Sequence, residues 1–163
     1  MISVAFVCLG NICRSPMAEM VFKNMVREEE LAPCFGITSF GTSDCEEGSP
    51  IYPPAKRMLI MHGIAGNHTA RQLSLKDVVN SDYILVMDSG NLMDVLRLTG
   101  GQFGEKIFKL LSFTGKAEDV EDPYFTRDFE RAYADIERGC RAFLDYLLKN
   151  NSNLIAYEKK LRY

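Results

Sequence analysis

Cys8 and Arg14 stand at a spacing that suits nucleophilic chemistry on phosphorus, in the run Cys8-Leu9-Gly10-Asn11-Ile12-Cys13-Arg14-Ser15. A thiol with no help is only about 3% ionised at pH 7, and the thiolate is the nucleophile. A helix N-terminus and a cationic neighbour favour the ionised form. Arg14 offers a planar fork of donors for two phosphate oxygens. Ser15 follows with a hydroxyl that can donate to the sulfur. Gly10 and Asn11 are residue types that tolerate positive φ, which a tight curl needs. A curled loop entering a helix presents successive backbone N–H groups to an anion. Together these residues describe attack by Cys8 on phosphorus, with the loop amides and Arg14 holding the equatorial oxygens. No GxxxxGK[ST] pattern is present, so this is not a nucleotide-type phosphate loop. The competing reading is a buried core thiol at a strand end, since free cysteine is often buried. The pattern is short, and its weight comes from standing between an apolar run and Pro16, which suits a first helical turn.

The string VCLGNICRSPMAE at residues 7–19 resembles the signature of the low-molecular-weight protein tyrosine phosphatases. Asp122-Pro123-Tyr124-Phe125 matches that family's acid loop. By this resemblance Asp122 protonates the leaving phenolate and then activates water against the phosphocysteine. Nearby Glu118, Asp119 and Glu121 are expected to favour its protonated form. Without the cysteine loop, Asp122-Pro123 would read as a plain turn before a helix. His62-Gly63-Ile64, the stretch His68 to Gln72, and Met87-Asp88 with Asn91 also resemble family segments. The correspondence makes Asn11, Ser39 and His68 a network that shapes the phosphate loop, with Asp88 in support. On its own, His68 reads equally as a satisfied surface histidine. The resemblance runs from residue 2 to about 149. It implies a phosphatase domain over 1–149 and an extension over 150–163, with no metal and no organic cofactor.

The implied substrate is a phosphotyrosine protein or a small aryl phosphate, with inorganic phosphate as product. Tyr124 and Phe125 fit as aromatic walls, or equally as core packing beside a helix. Cys45 falls where family members usually place an aromatic residue, and Glu46 and Glu47 beside it disfavour acidic peptides. In the family's arginine-phosphate branch the residue at position 12 tends to be threonine; Ile12 favours the tyrosine branch. Arsenate reductases of the same pattern need relay cysteines near the third strand's exit, and residues 81–100 hold none. A phosphotyrosine-binding module would need the loop but not Asp122. The resemblance also gives Cys13 the part of a redox guard, pairing with Cys8 under oxidant.

Positioning these residues requires a scaffold. Ile2–Val7 is an apolar run expected of a strand buried on both faces. A helix follows from Arg14 to about Glu30, with Met17, Met20, Val21, Met25 and Val26 as its apolar stripe. Strands are expected over Gly36–Phe40, Tyr83–Met87 and Ile107–Leu111. Helices are expected over Ala55–His62, Asn91–Leu98 and Phe129–Leu148. Gly41–Pro54 and Glu118–Asp128 read as loops, and Asn150–Tyr163 as a loosely attached tail. The alternation predicts a single α/β domain with a parallel sheet. The family resemblance specifies four strands with helices on both faces, a flavodoxin-like three-layer sandwich. Ligands in such folds bind beyond the carboxyl ends of the strands, where the Cys8 loop falls.

Composition bounds the remainder. The 163 residues carry 19 basic and 22 acidic side chains, for a net charge of -3, with no basic excess for broad nucleic-acid binding. No run approaches the roughly 18 apolar residues of a membrane span, and no export signal is evident. A cytoplasmic setting with reduced thiols is therefore expected. The five cysteines, being odd in number, exclude a fully paired framework.

Overall fold

The opening apolar run forms β1 (Ile2–Cys8). The computed structural model describes residues 1–162. Alternate side chains of a strand point to opposite faces. In β1 both faces are covered: Val4, Phe6 and Cys8 enter one core, Ala5 and Val7 the other. This explains why the segment reads as continuously apolar rather than alternating. The chain continues through α1 (Arg14–Glu28), β2 (Phe35–Gly41), α2 (Pro53–Met61), α3 (Leu75–Asn80), β3 (Tyr83–Val86), α4 (Ser89–Leu98) and β4 (Ile107–Lys109). The last helices are α5 (Pro123–Thr126), α6 (Phe129–Asn150) and α7 (Ser152–Leu161).

The strands form one sheet in the order β2-β1-β3-β4, and every pair is parallel. The chain leaves β1 for β2 on one side, then returns past β1 to β3 on the other. That reversal opens a crevice beyond the carboxyl ends of β1 and β3. Residues of α1, α2, α6 and α7 cover one face, and Val78 of α3 and Val95 of α4 cover the other. Phe22 of α1 is the hub of the larger core, with Phe6, Phe35 and Phe143 rings 5.7, 5.5 and 5.4 Å away. The predicted methionine and valine stripe of α1 is buried throughout. Helices lie on both faces of a four-stranded parallel sheet, in a single α/β domain, as the sequence led us to expect.

Four elements differ from expectation. The expected Glu118–Asp128 loop holds the single turn α5, which Asp122 caps and Pro123 opens. β4 stops at Lys109, and Leu110–Thr114 winds into a 3-10 turn. The turn drives Leu110 against Gly139 of α6, where an added Cβ would lie 2.6 Å from Leu110 Cγ. Helix α3 was not anticipated. It is short and buries only Val78, but its Ser74–Asp77 capping box supplies the N-terminal bonds that propensity does not. The tail is not loosely attached: Asn151 caps α7, and Leu154 is buried in the main core. The polar run at its start is thus a helix cap. Tyr163 lies outside the described residues.

Candidate active site

β1 ends at Cys8 and α1 begins at Arg14, so the candidate loop is a strand-to-helix turn at the crevice. Asn11 takes the left-handed conformation at φ 57° and is fully buried. Its side chain is bonded at every position. Nδ2 donates to Ser15 Oγ at 2.7 Å and to Ser39 Oγ at 3.0 Å, while Oδ1 accepts the Arg71 N–H at 3.1 Å. The Asn11 carbonyl lies 2.7 Å from His68 Nε2, so that nitrogen carries the hydrogen. Asn11, Ser39 and His68 are therefore assembled around the loop rather than in the cleft.

Two residues that sequence reasoning missed complete this frame. Glu19 is buried, accepts the Ser39 hydroxyl, sits 3.8 Å from His68 Nδ1 and is paired with Lys23 at 2.6 Å. Its signal was a carboxylate on the apolar side of α1, four residues after Ser15. Gly41 pairs with Cys8 in the sheet register. A Cβ there would lie 2.8 Å from the Leu9 carbonyl oxygen and 3.1 Å from that of Ser43, so a side chain would displace the loop. A glycine at a strand end was the available sign of close backbone approach.

Cys8 Sγ is buried and 3.0 Å from Ser15 Oγ. Asn11 already donates to that hydroxyl. Its one hydrogen is free for the Cys8 sulfur or for the Phe40 carbonyl at 3.3 Å. Arg14 is 2% exposed and bonded to both ends of the crevice. Nη1 reaches Asp88 Oδ2 at 2.6 Å and the Val120 carbonyl at 2.8 Å, and Nη2 reaches Asp122 Oδ2 at 3.2 Å. Burial works against the guanidinium charge, but Cys8, Asp122 and Asp88 outweigh it and raise the pKa above the ordinary arginine value. Asp88 serves twice: Oδ1 caps α4 through the Asn91 N–H at 2.7 Å while Oδ2 holds Arg14.

Asp122 caps α5 by accepting the Tyr124 N–H at 3.1 Å. The acidic neighbours face cations of their own: Asp119 is 2.6 Å from Lys109, Glu121 is 3.8 Å from Arg131 and Glu118 is 3.8 Å from Arg138. The charged partner of Asp122 is Arg14, in place of the clustered carboxylates that the sequence suggested.

Cys8, Arg14 and Asp122 line a cleft of about 180 Å³ together with Leu9, Gly10, Ile12, Cys13, Cys45, Glu46, Tyr124 and Phe125, while Asn11 and Ser15 lie behind it. Tyr124 leans on Tyr52 with ring centres 5.5 Å apart, and Phe125 is 73% exposed, so it is a rim residue and not core packing. The Cys13 thiol is pushed up to about 12, by burial first and then by Cys8 and Asp122. All five cysteines are free thiols. A larger groove at the opposite end of the sheet, near Met1, Tyr83 and Tyr157, contains none of the candidate residues. Among the described residues no cluster of three His, Cys, Asp or Glu is arranged for a metal, and no helix is long and apolar enough to cross a membrane.

The profile of the low molecular weight phosphotyrosine protein phosphatases matches residues 3–153. The chain belongs to this family. It is 40% identical over 148 residues to the human low molecular weight phosphotyrosine protein phosphatase, covering 88% of this chain and 94% of that protein. Among solved structures, Bacillus subtilis YfkJ superposes with a TM-score of 0.90 at 35% identity, covering 93% of this chain and 98% of that one. A Drosophila arginine phosphatase superposes with a TM-score of 0.83 at 33% identity, covering 91% and 99%. As a member of the low molecular weight protein tyrosine phosphatases, the chain is an enzyme of a cysteine-dependent hydrolase family.

Proposed function

We propose that the chain hydrolyses aryl phosphate monoesters, phosphotyrosine in proteins among them, through a phosphocysteine at Cys8. The observation that carries this reading is the buried Arg14, which joins the thiol's loop to Asp88 on one side and Asp122 on the other. A phosphate entering the loop takes Arg14 Nη2 from Asp122, while Nη1 stays on Asp88. Loop N–H groups and the guanidinium then face the equatorial oxygens, where charge builds in the transition state. The Cys8 sulfur forms the S–P bond as the P–O(aryl) bond breaks, and the Asp122 carboxyl gives its proton to the departing oxygen. Water then attacks phosphorus, the Asp122 carboxylate takes its proton, and the S–P bond breaks to release inorganic phosphate and the thiolate. General acid help of this kind contributes roughly 10²- to 10⁴-fold.

Tyr124 and Phe125 offer flat walls for an aryl group, and Ile12 at the cleft lining gives an apolar contact. Cys45 and Glu46 form the other rim. A carboxylate there disfavours acidic flanking residues. The experiment is turnover of phosphotyrosine and phosphoarginine in excess chelator. Phosphotyrosine is expected to be the better substrate, and Cys8→Ser to be inactive. Asp122→Ala is expected to lower kcat/KM on phenyl phosphate by about 10²-fold or more and on p-nitrophenyl phosphate far less, because that leaving group needs less acid help, while kcat on both falls as phosphocysteine hydrolysis slows. No aryl phosphate turnover by folded protein, or faster turnover of phosphoarginine, overturns the reading.

A further inference from the structure

We propose that Arg127 is a positioning residue, clasping the acid loop to the phosphate loop through Tyr52. Helix α5 ends after four residues at Arg127, whose φ of 61° is a conformation that non-glycine residues rarely adopt. The turn is closed by its N–H on the Pro123 carbonyl at 2.9 Å. From there the guanidinium lies 5.5 Å from the Tyr124 ring centre and 6.0 Å from that of Tyr52. Its Nη1 donates to the Tyr52 hydroxyl at 2.9 Å. Tyr52 is in turn tied to the phosphate loop by its N–H on the Ile12 carbonyl at 2.8 Å. A chain of contacts thus runs from the loop that holds Cys8 to the helix that Asp122 caps.

The proposal rests on the phosphatase reading above. Without substrate, Asp122 has a second tether in Arg14 Nη2. Phosphate must take that donor, so this tether is lost just when Asp122 has to stay over the leaving oxygen. The Arg127–Tyr52 contact uses no atom that phosphate needs and persists through the step. Its contribution should appear where acid placement matters, since small displacements of a positioned group cost rate steeply.

The experiment compares Arg127→Met, Arg127→Lys and Tyr52→Phe with wild type on phenyl phosphate and p-nitrophenyl phosphate. Arg127→Met and Tyr52→Phe are expected to lose about tenfold in kcat/KM on phenyl phosphate and less than about twofold on p-nitrophenyl phosphate. Arg127→Lys, which keeps the cation over the rings, falls between. In an Asp122→Asn background, Arg127→Met is expected to add no further loss. Equal losses on both substrates, a full loss retained in the Asp122→Asn background, or no loss at all overturns the clasp. Thermal melts accompany each variant; if Arg127→Met fails to fold, Tyr52→Phe decides. Wild-type turnover of p-nitrophenyl phosphate separates the two readings, because its absence would sink the phosphatase reading itself.

Discussion

Arg14 shows how one side chain can organise a site. A guanidinium 2% exposed is costly to desolvate, and it is tolerated because Asp88, Val120 and Asp122 occupy its donors. The same bonds pin the end of β3 and the acid loop to the start of α1. Cys13, one residue earlier, is buried, and the nearby Arg14 and Arg127 offset that burial only in part. Its thiol moves from an ordinary 9.0 to about 12, chiefly through burial. The sign follows from linkage. Below pH 9.0 the thiol is protonated in both states, and its contribution to stability is complete. Between 9.0 and about 12 the unfolded chain loses this proton first, so stability falls as pH rises. Melting temperature is therefore expected to drop more steeply above pH 9.0 in wild type than in Cys13→Ala. Cys140 and Tyr133, also raised by burial, act equally in both proteins. Parallel slopes would remove Cys13 from the account.

Among the elements, the β1-loop-α1 unit does the positioning, and it is braced rather than rigid by itself. Thr42 and Ser43 donate their N–H groups to the Cys8 and Leu9 carbonyls at 2.9 and 3.0 Å, which lays the segment after β2 against the loop. Gly41 permits that approach. The far end of the domain is closed by α7, which docks through Leu154 at 1% exposure. Leu154→Ala removes a fully buried side chain and is expected to cost about 2–3 kcal/mol in a urea melt. Aryl phosphate turnover should be unchanged, because α7 sits beside the amino ends of the strands, away from Cys8. Wild-type stability in this variant would mean that the helix does not dock in solution.

At the scale of the whole molecule, the strand order places the carboxyl ends of β1 and β3 side by side and so brings Cys8, Arg14 and Asp88 together. Much of this was legible in the chain. β1 and β3 are buried on both faces, so they read as apolar runs, and the Cys8–Arg14 loop is contiguous. α3 was hidden because a six-residue helix with two adjacent valines leaves no clear period. α7 was hidden because its cap reads as a polar linker. Tyr52 and Arg127 were not legible for another reason: each matters through contacts with residues remote in sequence, and Glu19 and Gly41 showed only as a carboxylate on an apolar helix side and a glycine at a strand end. Two features that were legible only by resemblance, the Asn11–Ser39–His68 network and the Asp122–Phe125 segment, are assembled next to the Cys8–Arg14 loop.

The central claim is that phosphate passes through the sulfur of Cys8. Its most direct test is acid quenching during turnover of p-nitrophenyl phosphate by Asp122→Asn, followed by mass spectrometry of the peptide that holds Cys8. Breakdown of the intermediate should be slowed in this variant while its formation from a good leaving group continues. The account predicts a phosphoryl group on Cys8 that builds up within the first turnover and is absent from Cys8→Ser. Steady nitrophenol release with no phosphoryl adduct on that peptide, or an adduct on another residue, would contradict it.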